Sequence, residues 1–338
     1  MKRKGKQTWV FENGAYIKTS GTAVGPLEAE GPLQESFDKI YDNLYCGEEN
    51  WELAERRLLT DAIEQCLKKD NKKQKDIDFF IAGDLLNQNV TSNYVARTEK
   101  IPFLGVFSAC ATAMETVALS ALLVDGGYAD YVMAATSSHN ATAERQFRFP
   151  TEFGGQKPNT STFTVTGAGA ALVSKDKSSI RIREATIGTV VDLGVKDPFN
   201  MGTAMAPAAY ETIVRHFEDT KRDVSDYDLI VTGDLSRIGS GILKTLLLEK
   251  KIDIAGKYDD CGTIIYSPDQ PVFAGGSGCA CPAVVTFGHL FQEMKKGKIN
   301  RMLVVATGAL LSPTMMQQKE SIPCIAHGVV FEYEGEQL

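Results

Sequence analysis

Cys110 is the residue whose type and place are best suited to covalent chemistry. It follows Val106-Phe107-Ser108-Ala109, read as the end of a strand, and precedes the stretch 111–125, rich in Ala, Met, Val and Leu, read as a helix. A thiol at a helix N-terminus meets the positive end of the helix dipole, which favours thiolate and hence nucleophilic or acyl-transfer chemistry. The alternative is a free cysteine acting as a small buried hydrophobe. Of the four histidines, His139 and His327 fall at predicted strand ends, where loop-borne side chains line pockets. His216 and His289 fall in helical stretches; His216 reads as a surface or packing residue and His289 as a packing residue. Asp84 and Asp234 close two short apolar runs and read as turn formers or caps, or as ligand groups. Cys279 and Cys281 stand two apart with no second pair at zinc spacing, so no metal site is expected.

The elements that must position these groups occur twice. Asp76-Ile77-Asp78-Phe79-Phe80-Ile81-Ala82-Gly83-Asp84-Leu85 returns as Asp226-Tyr227-Asp228-Leu229-Ile230-Val231-Thr232-Gly233-Asp234-Leu235. Each copy reads as a buried strand followed by a turn. Further on, Ser108-Ala109-Cys110 is echoed by Cys279-Ala280-Cys281, and Ala135-Thr136 by Ala306-Thr307. A helix-length stretch stopped by glycine (Gly126-Gly127 or Gly297) and then a strand separate the paired points. Strands alternating with helices imply an α/β protein with sheets covered on both faces. Two copies imply two similar half-domains, 1–176 and 177–338. Asn50 is placed to cap a helix with Leu58, Leu59, Ala62, Ile63, Cys66 and Leu67 on one stripe. Thr166-Gly167-Ala168-Gly169-Ala170-Ala171-Leu172 reads as a small-residue strand that lets another layer approach closely. The charge run 68–75 reads as a solvated turn, and the polar, Phe- and Arg-containing run 140–160 as a long functional or interface loop.

Several function classes are disfavoured. A formal net charge of −7 argues against nucleic-acid binding. No charge-free apolar run reaches the length of a membrane span, so membrane association is expected to be peripheral. The basic arm Met1-Lys2-Arg3-Lys4-Gly5-Lys6 reads as a frayed terminus rather than a lipid contact, and the polar stretch after it is unlike a secretory signal. Seven cysteines, an odd number, do not suggest a disulfide framework.

Ser108-Ala109-Cys110-Ala111-Thr112-Ala113 resembles the nucleophile segment of thiolases and of β-ketoacyl-acyl-carrier-protein synthase III. The small-residue strand and the duplication resemble the same enzymes. The resemblance implies the thiolase fold, two duplicated half-domains layered α-β-α-β-α. A closer likeness is to the stage V sporulation protein AD (SpoVAD) family. It is carried by Gly5 through Asn13, Ala82-Gly83-Asp84-Leu85-Leu86-Asn87-Gln88, Thr136-Ser137-Ser138-His139-Asn140, Ala143-Glu144-Arg145-Gln146-Phe147-Arg148 and the run 154–158. That family implies a role in moving dipicolinic acid into the developing spore, direct binding of that acid, alone or as its calcium chelate, and association with other SpoVA proteins. It places the protein peripherally on the cytoplasmic face of the forespore or spore inner membrane. Thiolase-fold proteins usually pair, so a homodimer is expected. No cofactor is implied.

The enzymes' other catalytic groups are not found at the matching positions. The condensing synthases' His-Gln-Ala-Asn region reads Val231-Thr232-Gly233-Asp234-Leu235-Ser236-Arg237, and their later Asn falls in Phe273-Ala274-Gly275-Gly276-Ser277-Gly278, which has none. The Gly-His-Pro of thiolases aligns near Ala280-Cys281-Pro282. Without those donors an enolate or oxyanion lacks its stabilisers. The expectation is a non-catalytic binding protein whose pocket gathers Cys110, His139, Asp84, Gly276, Ser277, Cys281 and His327. Two other readings stand beside it: an acyl-transferring enzyme with Cys110 as thioester nucleophile, and a pure scaffold presenting Arg145, Phe147, Arg148, Phe149 and Phe153.

Overall fold

A computed structural model describes residues 2–149 and 151–335. The first five long strands are β1 (Thr8–Val24), β2 (Phe79–Asp84), β3 (Phe103–Gly105), β4 (Tyr131–Ser138) and β5 (Gly167–Ser174). The next five are β6 (Ile180–Ile187), β7 (Leu229–Thr232), β8 (Tyr258–Asp260), β9 (Arg301–Ala309) and β10 (Cys324–Tyr333). They hydrogen-bond in the order β8-β7-β9-β10-β6-β1-β5-β4-β2-β3. The two halves of this order mirror each other about β6 and β1. Each half runs first, fifth, fourth, second, third strand, so the repeat seen in sequence is a repeat of topology. The halves meet where β1 pairs antiparallel with β6, through Trp9 opposite Ala185 and Tyr16 opposite Arg181. A bulge interrupts that ladder between Val10 and Ala15, and Asp125 holds it by accepting from the N–H groups of Asn13 (2.7 Å) and Gly14 (3.2 Å).

The helices are α1 (Trp51–Lys69), α2 (Val90–Glu99), α3 (Thr112–Asp125), α4 (Asn140–Phe147), α5 (Met201–Thr220), α6 (Ser236–Glu249) and α7 (Ala280–Val284). A π turn (Val285–Leu290) extends α7 into Phe291–Lys295. Alternation along the strands sends successive side chains to opposite layers. Phe80 and Ala82 pack outward under Leu58, Leu59 and Ile63 of α1. Ile81 and Ala134 point inward to Met114 and Val117 of α3 and to Val284 and Phe287. In the second half Leu303 and Val305 face α5 and α6, while Val304 and Ala306 face the centre. Three cores separated by sheet make the five layers of the thiolase fold. Gly169 explains the small-residue strand: a Cβ there would lie 2.9 Å from the Ala283 Cβ, so glycine lets the central helix press on β5.

The Asn50 cap forms as expected, its Oδ1 accepting from Leu53 N–H at 2.9 Å. Two expectations are corrected. The basic arm is not frayed over residues 2–6, and Met1 lies outside the described residues. Arg3–Lys4 pairs with β1, and the Lys4 ammonium sits 2.7 Å from the carboxylate of buried Glu184, which draws the arm down as its counter-charge. The run 140–160 is not loop throughout. Its first eight residues form α4, because His139 Nδ1 accepts from Ala141 N–H and caps the helix.

Candidate functional site

Cys110 sits on an elbow between β3 and α3. The strand ends at Gly105, earlier than the apolar run suggests, and Ala109, in the left-handed region (φ +49°), then turns the chain into the helix. Thr112 holds the elbow: its Oγ1 accepts from Ser108 N–H (3.0 Å) and donates to the Ala109 carbonyl (2.6 Å). From the other half, Gly308 at the end of β9 presses so closely that a Cβ there would lie 2.1 Å from the Ser108 carbonyl oxygen. This close approach brings the two strand-end clusters together.

The group against the thiol is a carboxylate. Asp234, fully buried, lies near enough to Cys110 for its charge to act on the thiol, and it accepts from Thr307 Oγ1 (2.7 Å), Ser277 Oγ (3.1 Å) and Gly278 N–H (3.0 Å). Burial raises the Asp234 carboxyl above its ordinary range despite these donors. Burial first, and the Asp234 carboxylate second, push the Cys110 thiol far above the ordinary thiol range. The helix-dipole argument for a thiolate is therefore overruled locally. A neighbouring anion and lost hydration both penalise the charged sulfur.

All four histidines are engaged elsewhere. His139 is completely buried, with Nδ1 capping α4 and Nε2 on the Leu44 carbonyl at 2.8 Å. Burial lowers it to about 4, so it is neutral and structural. His327 lies within β10 rather than in a loop. Its Nδ1 accepts from Gly188 N–H (3.3 Å), so Nε2 carries the proton toward Ser108 Oγ (3.2 Å). His216 bridges Thr186 and Tyr227 in the core, and His289 meets Ser36.

Cys110 lines a cavity shared with Leu85, Phe147, Arg148, Thr164 and Ser277. Its free volume is about 30 Å³, room for about two waters. Arg148 supplies the cation among the residues lining it.

These residues belong to a known family. A profile for Stage V sporulation protein AD (SpoVAD) matches residues 5–332. Stage V sporulation protein AD of Bacillus subtilis (strain 168) is 61% identical over 335 residues, 99% of each chain. The chain belongs to the stage V sporulation protein AD family. Its role is accordingly in sporulation. Solved structures similar in fold are enzymes. They include 3-oxoacyl-[acyl-carrier-protein] synthase III from Aquifex aeolicus VF5 (13% identity, TM-score 0.56, covering 95% of this chain and 100% of that one). Human mitochondrial 3-ketoacyl-CoA thiolase is another (11% identity, TM-score 0.58, covering 95% and 98%). At such identities they establish the fold alone.

Among this family member's sequence-nominated residues, the structure brings Cys110 and Ser277 to one cavity. Asp84 is not on its wall. Its carboxylate accepts from Ser92 N–H (2.8 Å), Ser92 Oγ (2.7 Å) and Leu86 N–H (3.0 Å), locking α2 to β2. Gly276 offers its carbonyl to Ser236 Oγ (2.7 Å), and Cys281 donates to the Gly233 carbonyl inside the central core. His139 and His327 stand behind the cavity rather than in it. Sequence reasoning left Asp234 as a turn former, cap or ligand group and outside the expected pocket, although its equivalence to Asp84 marked the position. Arg148 and Thr164 were unmarked as cavity residues because their approach depends on chain reversals far from Cys110. Among the described residues no group of three or more His, Cys, Asp or Glu is placed to hold a metal ion.

Proposed function

We propose that this protein is a non-catalytic member of the thiolase fold that binds dipicolinic acid between its halves, beside Cys110, Ser277 and Arg148. It supports uptake of that acid into the developing spore with the SpoVA membrane proteins. The observation that carries the non-catalytic part is the placing of Cys110 beside Asp234: a buried thiol kept protonated by a nearby carboxylate, with every histidine committed to other partners, is the reverse of an activated nucleophile. The dipicolinate part rests on family membership and on the Arg148 guanidinium at the cavity wall, a natural partner for a carboxylate. A pyridine ring needs more room than two waters, so binding must move the Phe147–Arg148 side of the cavity. Peripheral attachment at the inner membrane fits a chain in which, among the described residues, no helix is long and apolar enough to cross a membrane.

Calorimetry with dipicolinate tests this. Saturable binding that is lost in Cys110→Ala or Ser277→Ala supports the location. Acylation of Cys110 by acyl-coenzyme A, seen in intact mass, would replace this reading with an acyl-transfer enzyme.

A second copy is the expected partner through the β3 edge. Leu104 and Phe107 are each 46% exposed beside an unpaired strand edge, an apolar edge of the kind that pairs with another chain. Light scattering should report a dimer that Leu104→Lys converts to monomer; a monomeric wild-type protein removes this part.

A further inference from the structure

A second, larger hollow lies outside the Cys110 cavity. It offers about 320 Å³ of free volume, against about 30 Å³ inside. Phe149, Phe153, Phe163 and Phe199 are on its walls. Phe149 stacks on Phe153 (centroids 5.2 Å apart, planes 21°) and on Phe199 (6.1 Å, 18°). Flat aromatic faces of this kind receive a flat π ring. Phe153 is 69% exposed and Phe149 51%, so both rings are open to an incoming partner.

Not every polar group of this chamber is satisfied. Asn140, on its wall, is 5% exposed, and its Nδ2 is buried with no hydrogen-bond partner among the described residues. An unpaired buried amide is unfavourable, and a ligand acceptor would satisfy it. Two cations, Arg148 and Lys157 (3.0 Å), converge on the single carboxylate of Glu144, leaving one positive charge in excess. Arg148 Nε is also buried and without a partner among the described residues. Arg148 lines the inner cavity and Glu144 the outer chamber, so their ion pair is the partition between the two. An unpaired N–H donor and a surplus cation both call for an anionic oxygen.

We propose that this chamber, walled by Phe149, Phe153, Phe163 and Phe199, is a binding site for a planar aromatic carboxylate, with Asn140 Nδ2 donating to the ligand. It deepens the proposed function, and rests on it where the carboxylate is dipicolinate. The ligand's first station is then outside the Arg148–Glu144 partition, not at Cys110.

Calorimetry on the full chain with dipicolinate, 2-naphthoate and uncharged 2-naphthalenemethanol separates the possibilities. Asn140→Leu and the surface variant Phe153→Ala should each weaken carboxylate binding about tenfold or more, and Lys157→Gln should weaken it less and flatten its salt dependence. Because Phe153 is exposed, its variant keeps the test valid if Asn140→Leu fails to fold. Unchanged affinity in Phe153→Ala and Lys157→Gln, with binding lost in Ser277→Ala, overturns the chamber and leaves the Cys110 location standing. Binding of 2-naphthoate that depends on Phe153, without binding of dipicolinate, supports the chamber and removes dipicolinate as ligand. Equal affinity for the alcohol overturns the carboxylate assignment, and no binding of any probe overturns the whole inference.

Discussion

Two pairs of aspartates, each at matching places in the repeat, have met different fates. Asp78 accepts from the N–H groups of Asp130 (2.7 Å) and Tyr131 (2.9 Å), and Asp228 from those of Asn300 (2.8 Å) and Arg301 (3.0 Å). Both pin the start of the fourth strand of their half, so duplication kept their work. Asp84 and Asp234, six residues further along each copy, have parted. Asp84 ties α2 to its own half, while Asp234 reaches across to the thiol of Cys110 and the loop at Ser277 and Gly278. The first pair acts within one half, where the repeat guarantees the same surroundings. The second pair sits where the halves face each other, and there the surroundings differ.

Asp84→Ala strands three buried donors, Ser92 N–H, Ser92 Oγ and Leu86 N–H, and should cost about 4 kcal/mol of stability. Denaturant melts check this, and a loss as small as that of an exposed site would break the claim that Asp84 is structural. Next in size is a pH effect. Glu28, fully buried against Tyr266, is raised by burial to about 7 from 4.5. A raised acid means the fold prefers the neutral carboxyl. Its contribution is complete below pH 4.5 and disappears as pH rises through about 7, a loss of about 3 kcal/mol. Melting temperature should therefore fall from about pH 4.5 to about pH 7 and level off above, and Glu28→Gln should flatten that fall.

Asp234→Asn keeps the shape and removes the charge beside Cys110. The thiol should ionise more readily, with alkylation by iodoacetamide faster about tenfold, equivalent to about 1.4 kcal/mol. Asp84→Asn should leave that rate unchanged, and equal effects from the two would erase the contrast between the halves. The smallest changes are expected from Asp78→Ala and Asp228→Ala, about 1 kcal/mol each, and equal. Unequal losses would show that the first pair has diverged too.

Much of the fold was legible. The repeats beginning at Asp76 and Asp226 located β2 and β7, and the glycine-rich run located β5, because strand period and small-residue packing are local signals. The small-residue strand even announced its neighbour, since Gly169 has meaning only if a helix lies against it. The site was legible in part. Cys110 stands on its elbow and Ser277 beside it on the cavity wall, but His139 reads the same whether it caps a helix or faces a ligand. His327 looked loop-borne and lies within a strand, because β10 pairs on both edges and extends past the expected boundary.

By itself the sequence determined the α/β class, the duplication, the family and the place of the central thiol, all properties written in local pattern and in motif. Only the tertiary structure decided what the thiol meets. Whether Cys110 faces a histidine or a carboxylate depends on how the ends of β7 and β9 close on the elbow at Ala109. That closure rests on Gly308 lying against the Ser108 carbonyl. Charge, burial and proton affinity at Cys110 are set by groups more than a hundred residues away in the chain, and no local pattern records them.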